Sequence, residues 1–323
     1  MASEPVLSII IVNWNVRELI RACLLSVRRE MLLAADQYEL IVLDNASHDG
    51  SVAMLRAEFA DIRLIESAVN LGFGAGCNRA FKQARGRFIL LLNPDTEVVD
   101  HAIDGLLDLM RSRARLGIVG PRLVLGDGSF QRDSGGALPT LANVAWNYLF
   151  LKPVLPARWA PPALFLESDP QGLRPVGWVS GASMLLRREA VGMQIFDEAF
   201  FMFGEDMDVC DRVRRAGWDV LYDSTHSILH HHGSSFDQQP SAAIQATAHL
   251  GPRRVFAKNH GRASLFAYDA ILMTGYAIRW PLYGLLGWLR PGHGYTARSQ
   301  FSRKYIQSML QNRSSARPLR DGH

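Results

Sequence analysis

Cysteine is scarce in this chain. Cys23, Cys77 and Cys210 are the only three in 323 residues, and no two of them have CxxC spacing. This odd, scattered set argues against a disulfide framework and a structural zinc site, and it is typical of a reducing compartment. Because strand-like residues begin at Leu7, no room is left for a signal peptide, and we expect a cytoplasmic protein.

Long uninterrupted apolar runs are also absent. The most apolar stretch near the C-terminus, residues 265–288, is interrupted by Asp269, Arg279 and Pro281. A membrane-spanning helix needs about 20 apolar residues without such breaks. We therefore do not expect this stretch to cross a bilayer.

An excess of one charge is lacking too. Lysine and arginine number 35 against 31 acidic residues, which gives a net charge of +4 and a pI near 9.1. Weak, dispersed basic character does not support nucleic acid as a partner, although it suits anionic ligands or a phospholipid surface. With 48% hydrophobic residues, the chain can bury a large core.

What the sequence does contain is a regular alternation of apolar strands with amphipathic helices. Each helix is short and follows its strand closely, and Asn15 with Glu18 has the spacing of a capping box. This alternation predicts βαβ units and an α/β fold. The strands are predicted at Leu7–Val12, Glu39–Leu43, Ile62–Ile65, Phe88–Leu92, Trp178–Leu186 and Val220–Tyr222.

The strand Phe88–Leu92 ends abruptly at Asn93-Pro94-Asp95. Pro94 has no amide hydrogen and forces Asn93 away from helical geometry, so the strand cannot continue. Asp95 is thereby presented at the carboxyl end of a buried strand, where open α/β sheets collect their ligands. A carboxylate there can hold a divalent cation and, through it, a diphosphate. The alternative is an ordinary turn aspartate.

Four motifs stand in order along the chain: Asp44-Asn45-Ala46-Ser47, Asn93-Pro94-Asp95, Glu205-Asp206-Met207-Asp208 and His230. Together they resemble the family 2 inverting glycosyltransferases of the GT-A fold. The resemblance covers roughly residues 6–240 and is greatest to the bacterial rhamnosyltransferase-like branch, which has Asn-Pro-Asp in place of Asp-x-Asp. It implies a Rossmann-like, mixed and mostly parallel sheet flanked by helices, with a C-terminal helical extension.

The resemblance implies a donor pocket. Asp44 would accept the N3 proton of uracil or thymine, which cytosine lacks, and Asn13 would line the same pocket. Asn70 would support the ribose or diphosphate, Asn93 would bond a ribose hydroxyl, and Gly181 would lie beneath the sugar. An Asx turn at Asp44 and a packing requirement at Gly181 are the alternatives.

The resemblance also implies the chemistry. Asp95 and His230 would bind Mg²⁺ or Mn²⁺ on the donor diphosphate, and Asp206 would be the general base of a single inverting displacement. His232 competes with His230 for the ligand role, and a solvated histidine-rich loop is a third option. An acidic helix start with no catalytic role is the alternative for Asp206.

The function implied is transfer of a sugar from a nucleotide-sugar donor, with L-rhamnose from dTDP-rhamnose favoured, to a hydroxyl of a glycan or polyprenyl-diphosphate-linked saccharide. UDP-GlcNAc, UDP-galactose and GDP-mannose remain alternative donors. A nucleotidyltransferase would want a glycine-rich basic loop after the first strand, where Asn13-Trp14-Asn15 stands instead. A non-catalytic nucleotide-sugar-binding protein is the remaining alternative.

We expect a catalytic domain over residues 1–250, with an irregular acceptor-side insert at 126–175, and a helical segment over 251–323. The helical segment combines aromatic and basic residues, a pattern typical of a helix lying in a membrane interface, here the inner face of the plasma membrane. Packing on the core or on a second subunit, as in a homo-oligomer, is the alternative. The residues are Tyr276, Trp280, Tyr283, Trp288, Arg290, Arg298, Arg303 and Lys304.

Overall fold

The computed structural model describes residues 4–201, 203–231 and 250–314. The strands are β1 Leu7–Asn13, β2 Tyr38–Asp44, β3 Arg63–Glu66, β4 Phe88–Leu92, β5 Thr96–Val98, β6 Leu116–Leu125, β7 Gly135–Gly136, β8 Leu173–Pro175, β9 Trp178–Val179, β10 Ser183–Arg187 and β11 Asp219–His230. The helices are α1 Arg17–Glu30, α2 Ser51–Glu58, α3 Phe73–Phe81, α4 Ala102–Ser112, α5 Leu141–Tyr148, α6 Arg188–Val191, α7 Glu205–Arg215, α8 Leu250–Asn259, α9 Arg262–Leu289 and α10 Tyr295–Ser314.

The main sheet is mixed, in the order β3-β2-β1-β4-β10-β6-β11-β5, with β8 paired to β11. Strands β3, β2, β1 and β4 run parallel, whereas β10 is antiparallel to both β4 and β6. The ends of β1 and β2 are in register, with Asn13 opposite Asp44. The predicted α/β sheet with flanking helices is confirmed, and its parallel half brings three predicted site segments to one edge.

The central strands of the sheet are buried along their whole length. All seven residues of β1 and all five of β4 are buried, and helices α1 and α4 contribute apolar side chains to the same core. Strands covered on both faces read as continuous apolar runs rather than alternating ones, which is the pattern seen in these two sequences. The rigid central strands fix the loops that follow them.

Three local predictions were wrong. The helix α1 begins at Arg17 after Val16, and Asn15 instead has φ +53° and accepts a hydrogen bond from His48 N, so there is no capping box. The strand expected at Trp178–Leu186 is interrupted after Val179. The expected irregular insert contains helix α5, which Thr140 and Asn143 cap reciprocally.

A second compact unit consists of the described residues in 139–162 and 253–314. Its core is aromatic: the Tyr276 ring lies 4.1 Å from that of Tyr305 and 5.5 Å from that of Tyr148, measured between centroids. Arg253 donates two hydrogen bonds of 2.6 Å to the buried Asp269, so this break in the apolar run is an internal ion pair. None of the helices in the described ranges carries an apolar stretch long enough to cross a membrane.

Candidate active site

The first group of predicted site residues lies at the carboxyl ends of β1 and β2. Asn13 donates to Asp44 Oδ1 at 2.9 Å and to Ser47 Oγ at 3.1 Å, while Ser47 N donates to Asp44 Oδ2 at 2.9 Å. Asp44 is only 2% exposed. The carboxylate therefore organises the turn after β2 as an Asx-type acceptor, and its role toward a base stays a prediction.

A second network connects this turn to the loop before α3. Asn45 Nδ2 donates to Asn70 Oδ1 at 2.9 Å, and Asn45 Oδ1 accepts from Leu71 N at 2.8 Å. Gly72 follows with φ +82°, and a Cβ there would lie 2.5 Å from the Phe201 carbonyl oxygen. Glycine is needed because both the left-handed backbone and the close approach exclude a side chain. Asn70 is thereby held beside the Asp44 turn.

Polar groups form hydrogen bonds with the backbone of the Asn93-Pro94-Asp95 turn. Thr96 Oγ1 donates to the Asn93 carbonyl at 2.7 Å, and the Cys23 thiol reaches the same oxygen at 3.6 Å. Asn93 N donates to Ala182 O at 2.9 Å across the β4–β10 boundary. Burial raises the pKa of the Cys23 thiol to about 12, so it remains a neutral donor under the turn.

Asp95 lies beside His230, the last residue of β11. His230 Nε2 is 3.3 Å from Asp95 Oδ1, and its Nδ1 contacts Gln131 Oε1 at 2.7 Å. The contact with Gln131 Oε1 orients the imidazole ring so that Nε2 faces Asp95. His231 points elsewhere, to Glu97 Oε1 at 2.7 Å. His232 lies outside the described residues.

This pair suits a divalent cation. A carboxylate oxygen and an imidazole nitrogen are both ordinary ligands of such ions, and here the two atoms lie 3.3 Å apart. Among the described residues no group of three or more His, Cys, Asp or Glu side chains is suited to hold a metal. A cation at Asp95 and His230 would thus need further ligands from a bound molecule, which is the situation expected of a diphosphate.

Asp206 lies in the first turn of α7, a helix that begins directly after a glycine that the local backbone requires. Gly204 has φ +93°, and a Cβ there would lie 2.6 Å from Gly251 Cα. The half-buried Asp206 accepts from Met207 N at 2.8 Å and from Gly181 N at 3.5 Å. Desolvation raises its pKa above the usual aspartate range, and the negative charge of Asp133 adds to the effect.

Glu205, the neighbour of Asp206, is a buried carboxyl. Burial first, and then the charge of Asp206, raise its pKa above the usual glutamate range. Its buried Oε2 has no hydrogen-bond partner among the described residues, which fits a neutral carboxyl better than a carboxylate. Asp208 instead forms an ion pair of 3.2 Å with Arg212. Of the three acids in this turn, Asp206 has the carboxylate that the Gly181 amide faces.

The structure connects the Asn93 turn with Asp206 through one backbone segment, and it adds two site residues that were not predicted. Ala182 contacts the Asn93 turn and Gly181 contacts Asp206, so one short backbone segment touches both motifs. Gln131 and Asp133, which contact or influence His230 and Asp206, were not predicted. Both come from the irregular segment after β6, where a neutral amide and a single acid carry no recognisable pattern.

Comparison with known proteins identifies the family. The family description "Glycosyl transferase family 2" matches residues 8–191. The chain belongs to glycosyl transferase family 2. It is 32% identical over 220 residues to N-acetylglucosaminyl-diphospho-decaprenol L-rhamnosyltransferase of Mycobacterium tuberculosis, covering 64% of this chain and 71% of that protein. It is also 28% identical over 220 residues to the low-salt glycan biosynthesis hexosyltransferase Agl10 of Haloferax volcanii, covering 66% of this chain and 63% of that protein.

Solved structures of glycosyltransferases share the fold. Mannosyltransferase PcManGT from Pyrobaculum calidifontis, in complex with GDP-Man and Mn²⁺, has a TM-score of 0.58 at 14% identity, covering 98% of this chain and 89% of that one. S. aureus TarS 1–349 has a TM-score of 0.50 at 14% identity, covering 97% and 92%. The expected GT-A fold and the assignment as a rhamnosyltransferase-like glycosyltransferase of family 2 are confirmed.

Proposed function

We propose that this glycosyltransferase transfers L-rhamnose from dTDP-rhamnose to a hydroxyl group of a polyprenyl-diphosphate-linked saccharide. The observation that supports the donor and acceptor is the 32% identity over 220 residues to the mycobacterial L-rhamnosyltransferase whose name contains such an acceptor. The alignment covers 71% of that protein, so it extends beyond a nucleotide-binding motif.

Asp206 is the proposed general base. Its carboxylate removes the proton of the acceptor hydroxyl while the acceptor oxygen bonds to the anomeric carbon and the bond from that carbon to the diphosphate oxygen breaks. One displacement inverts the configuration without a covalent intermediate. The amides of Gly181 and Met207 orient the carboxylate, and its raised pKa makes it a stronger base than an exposed aspartate.

Asp95 and His230 are the proposed cation ligands. A bound Mg²⁺ or Mn²⁺ would neutralise charge on the leaving diphosphate. The imidazole ligand favours Mn²⁺, because Mg²⁺ prefers an all-oxygen shell. The Mn²⁺ in the mannosyltransferase of the same fold is consistent with a divalent cation here. Gln131 contacts His230 Nδ1 and so orients the ring with Nε2 toward Asp95.

Asn13, Asp44 and Asn70 are proposed to line the nucleoside side of the donor site. Asn13 and Asp44 end β1 and β2, Asn70 lies in the loop before α3, and Ser47 and Asn45 connect the three. Asn93 and Gly181 are proposed to contact the ribose and the sugar, since Asn93 N donates to Ala182 O and the preceding Gly181 contacts Asp206. The catalytic unit proposed is residues 1–250.

A donor panel tests the proposal. Purified protein is incubated with a polyprenyl-diphosphate-linked saccharide as acceptor and one donor at a time. The donors are dTDP-rhamnose, UDP-GlcNAc, UDP-galactose and GDP-mannose, and the products are identified by mass spectrometry. Product is expected with dTDP-rhamnose, and product with a different donor alone would reject the rhamnose assignment. Asp206→Asn is expected to lower kcat at least about 100-fold with donor affinity within a few-fold. Wild-type turnover by that variant would reject the base.

A further inference from the structure

The second half of helix α9 exposes an apolar face. The exposed positions recur at spacings of three and four residues, which places them on one side of the helix. Such a stripe is normally the side that packs on the core, but here the opposite side does so through Leu272 and Tyr276. The exposed residues are Ala277, Ile278, Pro281, Leu282, Leu285, Trp288 and Leu289.

The exposure is substantial for large side chains. Trp288 is 78% exposed, Leu285 55% and Leu289 56%. The segment from Ala277 to Leu289 spans about 18 Å at the helical rise per residue. Two of the aromatic residues expected at this surface are not on it, because Tyr276 is buried and Tyr283 is half-buried and stacks on Tyr295.

The charges around this face have one sign. Residues 270–314 contain six basic residues and no Asp or Glu. Arg290, Arg298, Arg303 and Lys304 are exposed, and no ion pair within the described part of the chain involves them. Arg303 lies over the Trp280 ring at 5.8 Å, so a basic group adjoins the aromatic edge of the surface.

We propose that this surface, Ile278 to Leu289 of α9 with the basic residues of Arg290 to Lys304, docks onto an anionic phospholipid bilayer. Apolar side chains enter the boundary between headgroups and acyl chains, Trp288 lies at that boundary, and the arginines contact lipid phosphates. A second copy of the chain fits less well, because a two-fold contact through this face would bring the basic residues of both copies together.

Vesicle binding of the full chain tests the proposal. Sedimentation is measured with phosphatidylcholine vesicles and with mixed phosphatidylcholine and phosphatidylglycerol vesicles, at low and high salt. Binding is expected to the anionic vesicles and to weaken with salt. Because no donor or acceptor is present, the result is independent of the proposed glycosyl transfer. Equal failure to bind both vesicle types would overturn the proposal.

Paired variants assign the effect to the surface. Leu285→Ser with Trp288→Ser removes two exposed apolar groups and is expected to weaken vesicle binding at least about tenfold. Arg298→Glu with Arg303→Glu is expected to do the same through charge. Trp159→Ser is the matched control, since Trp159 is 60% exposed in the same unit but away from α9 in sequence, and it should bind as wild type.

Self-association is the competing result. Sedimentation velocity of the wild type and of the Leu285→Ser, Trp288→Ser variant measures the oligomeric state without lipid. A monomer in both supports the bilayer as the occupant. The proposal would be overturned if the wild type were a dimer, the double variant were a monomer, and the variant still bound vesicles like the wild type. That result would assign the surface to a second copy of the chain.

Discussion

His230 directs its Nε2 at Asp95 Oδ1 across 3.3 Å, although 135 residues separate the two along the chain. The contact is built by β11, whose end pairs with β5 immediately after the Asn93-Pro94-Asp95 turn, so that His230 stands opposite Thr96. Gln131 fixes the other ring nitrogen at 2.7 Å. The imidazole is therefore held on both sides before any ligand arrives.

The first prediction concerns this pair. Asp95→Asn and His230→Gln are each expected to weaken binding of a nucleoside diphosphate at least about tenfold in the presence of Mn²⁺, because each removes a cation ligand. With chelator present, the variants and the wild type are expected to bind alike. Isothermal titration calorimetry with dTDP measures both conditions.

His231→Gln is the matched control for that experiment. His231 neighbours His230 but contacts Glu97 Oε1 at 2.7 Å, so its removal should leave cation-dependent binding unchanged. Gln131→Leu is expected to weaken binding less than His230→Gln, since it frees the ring orientation but keeps the ligand. Equal losses with chelator and with Mn²⁺ would contradict the ligand role of Asp95.

The second prediction is the pH dependence of turnover. Asp206 must be ionised to accept a proton, and its raised pKa moves the acid limb of kcat/KM above the ordinary aspartate value of about 3.9. Asp133→Asn removes a nearby negative charge, which lowers the pKa of Asp206 and shifts the limb to lower pH by about half a unit.

Asp127→Asn serves as the control for Asp133→Asn. Asp127 is an exposed turn acid in the same irregular segment, where it accepts from Ser129 N at 2.9 Å. Its substitution should leave the pH profile unchanged. An acid limb that is the same in wild type and Asp133→Asn would mean that Asp133 does not act on the base.

The third prediction concerns stability. Because the folded-state pKa of Glu205 is raised above its unfolded value, the native protein holds a proton that the unfolded chain releases as pH rises. Glu205 therefore reduces stability increasingly above the unfolded glutamate pKa of about 4.3. Glu205→Gln is expected to raise the free energy of unfolding by at least about 1 kcal/mol at neutral pH, and not below that pKa.

Urea unfolding at several pH values measures the effect. Glu18→Gln is the control, because Glu18 has a 67% exposed side chain and its loss should change stability little at any pH. A Glu205→Gln variant that is less stable than wild type at neutral pH would indicate that the buried carboxyl is ionised and paired in the folded protein.

The fourth prediction separates backbone strain from close approach. Gly204 and Gly217 have φ of +93° and +88°, but a Cβ would meet a neighbour only at Gly204, where it would lie 2.6 Å from Gly251 Cα. Gly217→Ala is expected to cost about 1–2 kcal/mol of stability from the left-handed backbone alone. Gly204→Ala should cost more and also lower kcat, since Asp206 follows this turn. Urea unfolding and steady-state kinetics measure the two effects, and equal losses would remove the contact with Gly251 as a cause.

The elements that could be predicted from the sequence are those with a clear apolar pattern and a residue that ends it. The strand Phe88–Leu92 was predicted with its observed bounds, because it is apolar throughout and Pro94 ends it. The break between β9 and β10 was missed, because the apolar pattern continues on both sides of Ser180–Ala182 and hides the turn. Helix α5 was missed because it is short and lies among glycine and proline residues with weak periodicity.

The site was accessible from sequence only where a family motif marked it. Asp95, Asp206 and His230 belong to ordered motifs, whereas Gln131 is a neutral amide in an irregular segment and became visible only from its 2.7 Å contact with His230. The long strand β11 has a register shift between Asp223 and Ser227, and the predicted strand Val220–Tyr222 stops before it. That irregularity interrupts the strand pattern without interrupting the strand.

The backbone segment Gly181–Ala182 links the two motifs that are proposed to act on opposite sides of the anomeric carbon. Its Ala182 carbonyl holds the Asn93 amide at 2.9 Å, and one residue earlier the Gly181 amide faces Asp206. A shift of the start of β10 would displace both the proposed donor-binding turn and the proposed base, so substitutions beneath this strand are expected to impair bond breaking and bond making together.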